Sequence, residues 1–363
     1  MIGRNAFLMT FLLSTGLGAQ SATSSPQSGA LRGSVTSATG QVLGYAVVSL
    51  TALETQQFAN EQGKFFFANV RPGTYRLTVR QLGYTAANVE VHVVAGQIQD
   101  VAVKMDHIVN TLTAMKVKGQ WACANPGRPL RTGPDPLVEV FEQLEQNAVR
   151  LRLLSTQYPF DMITERRRMM QHADGLETLD NLDSVRTSSS TKARYEPGKV
   201  VHDPEGVTKT REKLLQIPTL LDFADPQFQS NHCFVLAGVE ENDGVKEIRV
   251  EFKPADKLKT PDVGGSVFLQ AETFKLTRSE IDLTKIPSNL PGLMRVRATT
   301  YFDEVFPGLP IIGEVVATSD LKVSSPLAPA RAVERIRTLR LVFLKSAPGD
   351  SIDTRNDRLT SSR

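Results

Sequence analysis

The fold of the amino-terminal part is decided by three short stretches, Gly44-Tyr-Ala-Val-Val-Ser-Leu50, Lys64-Phe-Phe-Phe67 and Gly73-Thr-Tyr-Arg-Leu-Thr-Val79. Apolar and polar residues alternate within them, which is typical of strands with one buried face and one solvated face. The alternation predicts that Phe66 lies on the opposite face of its strand from the two phenylalanines beside it. Glycine turns separate the stretches at short, regular spacing, and this predicts a small antiparallel β-sandwich.

The landmarks of this region resemble those of a known domain family. They are Gly33-Ser-Val35, the segment from Asn60 to Phe67, Arg71-Pro-Gly-Thr-Tyr75 and Leu82-Gly-Tyr84. In this order they are similar to the carboxypeptidase regulatory-like domain, a transthyretin-like β-sandwich, and the resemblance covers residues 31–105. It implies a non-catalytic accessory module of an exported bacterial protein, and it names no substrate.

Two tyrosines of this region are candidate ligand contacts. The family is often grouped with carbohydrate-binding-like folds, so the resemblance implies a glycan or an outer-membrane protein as candidate partner. An exposed ring at Tyr45 or Tyr84 is able to stack on a sugar. The alternative is that both tyrosines close the end of the sandwich and contact no ligand.

The amino-terminal residues have the pattern of a secretory signal. Arg4 supplies a positive charge, an apolar run from Ala6 to Leu17 follows, and small residues come next. The run is too short to span a bilayer, which takes about 20 apolar residues. We therefore predict a signal peptide at residues 1–22. The mature chain is predicted to be exported, without a transmembrane segment, to the periplasm, the outer-membrane periphery or the extracellular space.

Charge and cysteine content narrow the chemistry further. The net charge of the 363 residues is only +3 at pH 7, which favours neither nucleic acid nor an acidic surface as a partner. The two cysteines are Cys123 and Cys233. In an exported protein an even number of cysteines predicts a disulfide. The alternative is a metal site that includes His232, but a structural zinc site needs four ligands and the sequence offers no such set.

A change of composition divides the chain after the sandwich. Residues 106–134 are predicted to form a linker, because their second half is rich in Pro, Gly and Arg. A helix follows, with Asp135 as its N-cap, Pro136 in its first turn and apolar residues at helical spacing. Residues 135–345 are predicted to be one domain in which this helix packs on an antiparallel sheet. Residues 346–363 are predicted to be a disordered tail.

Strand-like alternation returns beyond the helix. The predicted strands cover residues 158–170, 191–201, 233–241, 246–253, 265–270, 273–283, 294–305, 311–320 and 335–345. Asn242-Asp-Gly244 predicts a hairpin turn between two of them. Residues 174–190 are polar and serine-rich and are predicted to be a mobile loop. Residues 217–228 are predicted to be a short helix that Pro226 interrupts.

Part of this second region resembles another family. The stretches are Phe234-Val-Leu-Ala-Gly-Val-Glu240, Ile248-Arg-Val-Glu-Phe-Lys-Pro254 and Gly265-Ser-Val-Phe-Leu-Gln270, with an acidic-Thr turn at Glu272-Thr273. They are similar to the half-barrel of periplasmic lipoprotein carriers. The resemblance implies a curved sheet whose concave face binds an acyl chain or another apolar ligand, and it assigns no ligand-binding residue. The alternative is that the same residues form the core of an ordinary β-domain.

Together these patterns predict a mainly β protein. An N-terminal antiparallel β-sandwich is followed by a C-terminal α+β domain with a curved antiparallel sheet and a packed helix. The arrangement favours a binding or scaffolding role at the cell envelope over catalysis. A periplasmic carrier of an apolar ligand or lipid is the alternative hypothesis.

A search for catalytic patterns leaves one remote candidate, a zinc hydrolase. His202-Asp-Pro-Glu205 has the His-x-x-Glu spacing of metallocarboxypeptidase zinc ligands. The third ligand of such a site is a histidine far downstream, and the last histidine of this chain is His232. We therefore predict no catalytic residue, no metal and no cofactor.

Overall fold

A computed structural model describes residues 28–108, 121–130, 135–202, 214–345 and 347 of the chain. Within them, the amino-terminal part forms two small sheets, and the second part forms a curved sheet of nine strands with one long helix. The predicted fold class is confirmed: the protein is mainly β, with a sandwich followed by a helix and a curved antiparallel sheet. The predicted signal peptide at residues 1–22 lies outside the described residues, as does the tail except Ala347.

The described part of the sandwich has seven strands. They are β1 (Gly29–Ser37), β2 (Val47–Leu50), β3 (Thr55–Phe58), β4 (Lys64–Val70), β5 (Gly73–Arg80), β6 (Ala87–Val93) and β7 (Ile98–Met105). One sheet has the order β4-β1-β7 and the other the order β3-β2-β5-β6. The pairs are antiparallel except β1 and β7, the first and last strands of the sandwich, which run parallel.

The core of the sandwich follows from the alternation along its strands. Val48, Leu50, Leu77 and Val79 are fully buried between the two sheets. The rings on either side of Phe66 are buried as well, whereas Phe66 itself is exposed. The predicted face assignment is therefore confirmed, and burial of these side chains supplies most of the driving force for folding of this unit.

The second part begins with the helix α1 (Pro136–Gln157). The Asp135 carboxylate accepts a hydrogen bond of 2.9 Å from the backbone N–H of Leu137, and Pro136 occupies the first helical position. The predicted helix start is confirmed, because this cap satisfies a backbone donor that the helix itself leaves without a partner.

Thirteen described elements follow α1, and nine of them form one long sheet. In chain order they are β8 (Phe160–His172), β9 (Glu177–Ser188), β10 (Val201–His202), β11 (Leu214–Leu215), α2 (Leu220–Phe223), α3 (Pro226–Gln229), β12 (His232–Asn242), β13 (Val245–Pro254), β14 (Val263–Gln270), β15 (Leu276–Leu283), β16 (Leu293–Phe306), β17 (Leu309–Leu321) and β18 (Pro329–Phe343). The sheet has the order β12-β13-β14-β15-β16-β17-β18-β8-β9, and every neighbouring pair is antiparallel.

Two turn and breaker predictions are confirmed. Asn242 pairs with Val245, and the two residues between them, Asp243 and Gly244, both have positive φ, as a type I′ hairpin turn requires. The predicted short helix is interrupted before Pro226, as the sequence indicates: α2 ends at Phe223, and Pro226 begins α3, since proline has no N–H to continue the first helix.

The helices fill one half of the concave face. Phe141 of α1 packs edge to face on Phe234 of β12 with ring centroids 4.7 Å apart. Phe228 of α3 packs on Phe252 of β13, and Leu144 belongs to the same buried cluster. Over β12 to β16 the concave face is therefore a filled core.

The other half of the concave face is more open. Ala298 of β16 is fully buried, and the paired residue on β17, Ala317, is only partly buried. Val315 of β17 pairs with Ile336 of β18, and both are partly exposed on the same face. The sheet thus has a covered inner half and a partly uncovered outer half formed by β17, β18, β8 and β9.

The predicted disulfide between Cys123 and Cys233 is confirmed. It attaches the described residues 121–130 to β12, at one edge of the sheet. Backbone hydrogen bonds extend the attachment: the Gly127 N–H donates to the His232 carbonyl at 3.0 Å. No helix among the described residues is long and apolar enough to cross a membrane.

Two predictions are wrong, the mobile loop at residues 174–190 and the strand at residues 191–201. The predicted mobile loop at 174–190 is largely strand β9. An extra residue, Asp180, bulges out of its ladder with β8, so its apolar residues do not recur at every second position. In the predicted strand 191–201 only Val201 is in a described strand. Backbone N–H groups of residues 194 and 195 donate instead to the buried Asp222 carboxylate.

The disulfide closes a long loop, since its cysteines are 110 residues apart in sequence. Replacing Cys123 and Cys233 together by Ala is expected to lower the free energy of unfolding by about 4 kcal/mol, because the unfolded chain regains the entropy of that loop. Urea denaturation measures the change. Reductant should lower the wild-type value to that of the variant and leave the variant unchanged; a variant as stable as the oxidised wild type would contradict the prediction.

Candidate functional site

A cleft lies where loops at one end of the sandwich meet the second domain. Its volume is about 440 Å³. The sandwich side is lined by residues 41–45, Glu61, Gln81, Leu82, Tyr84 and His107, and the other side by Glu272, Thr273, Lys275, Pro307 and Gly308. The two candidate ligand contacts predicted from sequence, Tyr45 and Tyr84, are thus brought to one place, which is a junction between domains.

Tyr45 forms the floor of the junction. Its ring stacks on Phe306 of β16 with centroids 5.4 Å apart, and only 2% of the residue is exposed. Its hydroxyl donates a hydrogen bond of 2.9 Å to the Glu61 carboxylate. Tyr45 also has a positive φ of 57°, which is uncommon for a residue with a side chain. These contacts make Tyr45 a packing residue that also holds Glu61 in position.

Tyr84 lies at the rim. It is partly exposed, and its ring packs edge to face on His107 with centroids 5.2 Å apart. A backbone bridge also pairs Tyr84 with His107, which holds the tyrosine at the end of the sandwich. Tyr84 also packs against the core of the sandwich. Of the two tyrosines, Tyr84 is the one that lines the cleft and is partly exposed.

A stripe of buried polar side chains on α1 attaches the sandwich to the second domain. We call Gln143, Asn147 and Arg150 the polar stripe; they follow one another at helical spacing and are at least nine-tenths buried. The Gln143 side-chain carbonyl accepts a hydrogen bond of 3.0 Å from the Gly83 N–H in the sandwich. Asn147 donates to the Phe274 carbonyl at 2.9 Å and accepts from the Leu276 N–H at 3.2 Å.

Arg150 joins both walls of the cleft. Its guanidinium donates to the Gly308 carbonyl and, at 2.9 Å, to the side-chain carbonyl of Gln81 in the sandwich. Burial lowers the pKa of Arg150 to about 10, and the negative charge of Glu304 opposes this shift. Gly308 has a positive φ of 71°, and a Cβ there would lie 2.9 Å from the guanidinium. Gly308 is therefore required both by the turn and by the close approach of Arg150.

Apolar packing completes the junction below the cleft. Tyr45, Leu154 of α1, Phe160 of β8, Phe306 and Leu309 form one buried cluster. The partly buried Phe58 of β3 packs against it. The sandwich and the second domain therefore share a small hydrophobic core of their own, which packs the two walls of the cleft against each other.

The charged groups of the cleft are mostly engaged with one another. The Lys275 ammonium lies 2.8 Å from the Glu304 carboxylate, and the second oxygen of Glu304 accepts from the Gly308 N–H. Glu61 accepts from Tyr45. Glu272 adds a further carboxylate to the lining. The cleft thus offers carboxylates, amides and an aromatic ring, which are groups that hydrogen-bond and stack on polar ligands.

The remaining residues that the sequence singled out are the two cysteines and the candidate zinc ligands His202 and Glu205. Cys123 and Cys233 are joined in the disulfide. His202 is the last residue of β10, and Glu205 lies outside the described residues. In the described parts of the chain, no group of three or more His, Cys, Asp or Glu is placed to hold a metal ion.

Sequence reasoning missed the polar stripe. Its signal is present in the sequence, because the three residues fall at helical spacing beside the apolar face of α1. Polar residues at such positions are usually solvated, so the pattern alone does not distinguish a buried junction from a wet helix face. No sequence signal was found for Glu61 or Lys275, which approach the cleft from loops.

The sandwich matches a family model described as the carboxypeptidase regulatory-like domain, over residues 30–106. Those residues form a carboxypeptidase regulatory-like domain. The match agrees with the resemblance seen in the sequence at residues 31–105, and the regulatory-like domain makes up the amino-terminal wall of the cleft. No curated protein matches this chain.

Solved structures are similar mainly to the second domain. A LolA superfamily protein from Nitrosomonas europaea is 12% identical, with 57% of this chain and 94% of that chain covered and a TM-score of 0.30. A DUF1329 family protein from Desulfovibrio piger is 13% identical, with 56% and 93% covered and a TM-score of 0.30. A putative outer membrane lipoprotein-sorting protein domain from Vibrio parahaemolyticus is 10% identical, with 56% and 92% covered and a TM-score of 0.31. Similarity at this level assigns no ligand.

Replacing Arg150 by Met is expected to lower the free energy of unfolding by about 2–3 kcal/mol, because buried carbonyl groups on both walls lose their donor. Denaturant unfolding followed by circular dichroism measures the loss. The matched control is Arg152→Met on the same helix, where we expect a change within about 0.5 kcal/mol. Equal losses for the two variants would show that the guanidinium contributes nothing specific to the junction.

Proposed function

We propose that this chain is an exported binding protein without catalytic activity, and that the cleft at the domain junction binds a polyhydroxylated ligand such as a glycan. The observation that carries the proposal is the partly exposed Tyr84, which lines the cleft beside carboxylate and amide groups. The disulfide between Cys123 and Cys233 supports export, because such bonds persist in oxidising compartments.

The size and chemistry of the cleft support this class of ligand. A volume of about 440 Å³ lies within the roughly 300–1,000 Å³ of ligand pockets in general. The ring of Tyr84 offers a flat apolar face for the C–H side of a sugar. Glu61 accepts from Tyr45 through one carboxylate oxygen, and its other oxygen suits a hydroxyl group of a ligand. Gln81 lines the cleft beside it, with its side-chain carbonyl already accepting from Arg150. The regulatory-like domain, which supplies all three residues, is often grouped with carbohydrate-binding-like folds.

The absence of catalysis is part of the same proposal. General acid–base or nucleophilic catalysis needs a group that is held ready for a proton or a bond. Glu61 is hydrogen-bonded to Tyr45, and Lys275 is paired with Glu304. Each charged group in these pairs already serves the architecture of the junction, which favours binding over turnover.

Tyr84→Ala is expected to weaken glycan binding at least about tenfold, because stacking on the ring is lost. A glycan array on the full chain identifies a binder, and isothermal titration calorimetry with that oligosaccharide measures the change. The matched control is Tyr301→Ala, which removes an exposed tyrosine of β16 that does not line the cleft. A blank array, or equal losses for the two variants, would refute glycan binding at this cleft.

A second candidate function is carriage of an apolar ligand. The observation that favours it is the outer half of the concave face, where Val315, Ala317 and Ile336 are only partly buried. Glu334 pairs with Ala317 on this face, so the apolar side chains form a short strip bordered by charged groups. A partly exposed strip of this kind offers a surface to an acyl chain. The neighbouring Arg166 and Arg168 on β8, which are ion-paired with Asp183 and Asp180, line the same face.

Native mass spectrometry of the purified chain tests the carrier function. We expect a co-purified lipid mass that Ile336→Glu removes, because a carboxylate on this face disfavours an acyl chain. The control is Leu339→Glu, which changes an exposed leucine of the same strand. A clean protein mass for the wild type would refute the carrier function and leave glycan binding at the cleft untouched.

A further inference from the structure

The nine-stranded sheet ends at β9, an edge strand with exposed leucines among polar and charged residues. The last strand, β9, pairs with β8 on one side and with no described residue on the other. Leu179 and Leu182 of β9 are 54% and 48% exposed, and the adjoining Leu176 is exposed as well. An edge strand with free backbone groups and exposed leucines is a template for pairing with another strand.

The opposite edge of the sheet is covered at its start. Residues 121–130 are held to the first two residues of β12 by the disulfide to Cys233 and by the hydrogen bond from the Gly127 N–H to the His232 carbonyl. Trp121 adds a hydrogen bond of 3.3 Å to Glu251 on β13. The start of β12 therefore has a neighbouring segment beside it, whereas no described residue lies along the outer side of β9. A two-fold contact of β9 with β9 closes after two copies.

We propose that β9 pairs with β9 of a second copy of this chain, antiparallel about a two-fold axis through Leu182. The pattern of residues along β9 indicates that its partner strand is another β9. In a continuous sheet, residues opposite one another share a face. Glu177, Leu179, Leu182, Ser184 and Arg186 share one face of β9, because their partners on β8 are alternate residues.

The bulge at Asp180 sets the register. With the axis at Leu182, the Leu182 side chains of the two copies lie opposite each other. Leu179 of one copy then lies opposite Ser184 of the other copy, and diagonal to its Leu182. Because the bulge adds one residue, Glu177 then lies opposite Arg186 of the other copy, twice by symmetry. Moving the axis to Asp183 would place two aspartates opposite each other, and moving it to Asn181 would separate Glu177 from Arg186.

The interface is independent of the cleft. Residues of β9 line neither the cleft nor the junction core. A dimer formed in this way joins the two sheets edge to edge and leaves both clefts accessible. The dimer can therefore be tested separately from the proposed glycan binding.

Sedimentation analysis of the full mature chain tests the dimer. We expect the wild type to dimerise reversibly, and Leu182→Lys to raise the dissociation constant at least about tenfold, because two ammonium groups then meet at the axis. Met294→Lys, which changes an exposed residue at the start of β16, is the control and should dimerise normally. A monomeric wild type, or a Leu182→Lys variant that dimerises normally, would overturn the proposal.

A charge exchange tests the register. Glu177→Lys and Arg186→Glu should each be monomeric alone, since like charges then face each other twice. Mixed in equal amounts they should form a heterodimer, because both pairs are then of opposite charge. Circular dichroism on each variant confirms folding, since Arg186 also pairs with Asp161 within the chain. Two folded variants that fail to associate when mixed would rule out this register.

Discussion

The buried polar stripe of α1 is the constraint on which the architecture depends. A buried hydrogen-bonding group that loses its partner costs about 1–3 kcal/mol, so Gln143, Asn147 and Arg150 accept very few placements. Each of them contacts a segment far away in sequence: the Gly83 turn, the start of β15, and the turn at Gly308. One helix therefore sets the position of the sandwich relative to the sheet, and the cleft is a consequence of that position.

Two faces of α1 have different contacts. Its apolar face fills the inner half of the concave sheet with Phe141 and Leu144, as a packed core requires. Its polar stripe points to the junction. In the outer half, the end of α1 contacts only the ends of strands such as β8 and β17, so the rest of that half has partly exposed apolar residues. No described residue pairs with the outer side of β9, while the disulfide attaches a neighbouring segment to the start of β12.

Prediction from the sequence succeeded where neighbouring residues alone decide the local structure. The hairpin at Asn242-Asp-Gly244 follows from residues that tolerate positive φ, and the start of α1 follows from an aspartate and a proline in adjacent positions. It failed at β9, where the bulge at Asp180 breaks the two-residue period. It also failed at residues 191–200, whose backbone is tied to the Asp222 carboxylate instead of a neighbouring strand.

The sequence by itself determined the strands of the sandwich, the helix cap, the fold class and the pairing of Cys123 with Cys233. Alternation and capping act over a few residues. The chain has two cysteines, so a disulfide within it has one possible pairing. The tertiary structure alone decided that Tyr84 and Glu272 share a cleft and that Arg150 is buried between Gln81 and Gly308. These contacts join residues 69 and 158 positions from Arg150, and no local period encodes which distant segments will meet.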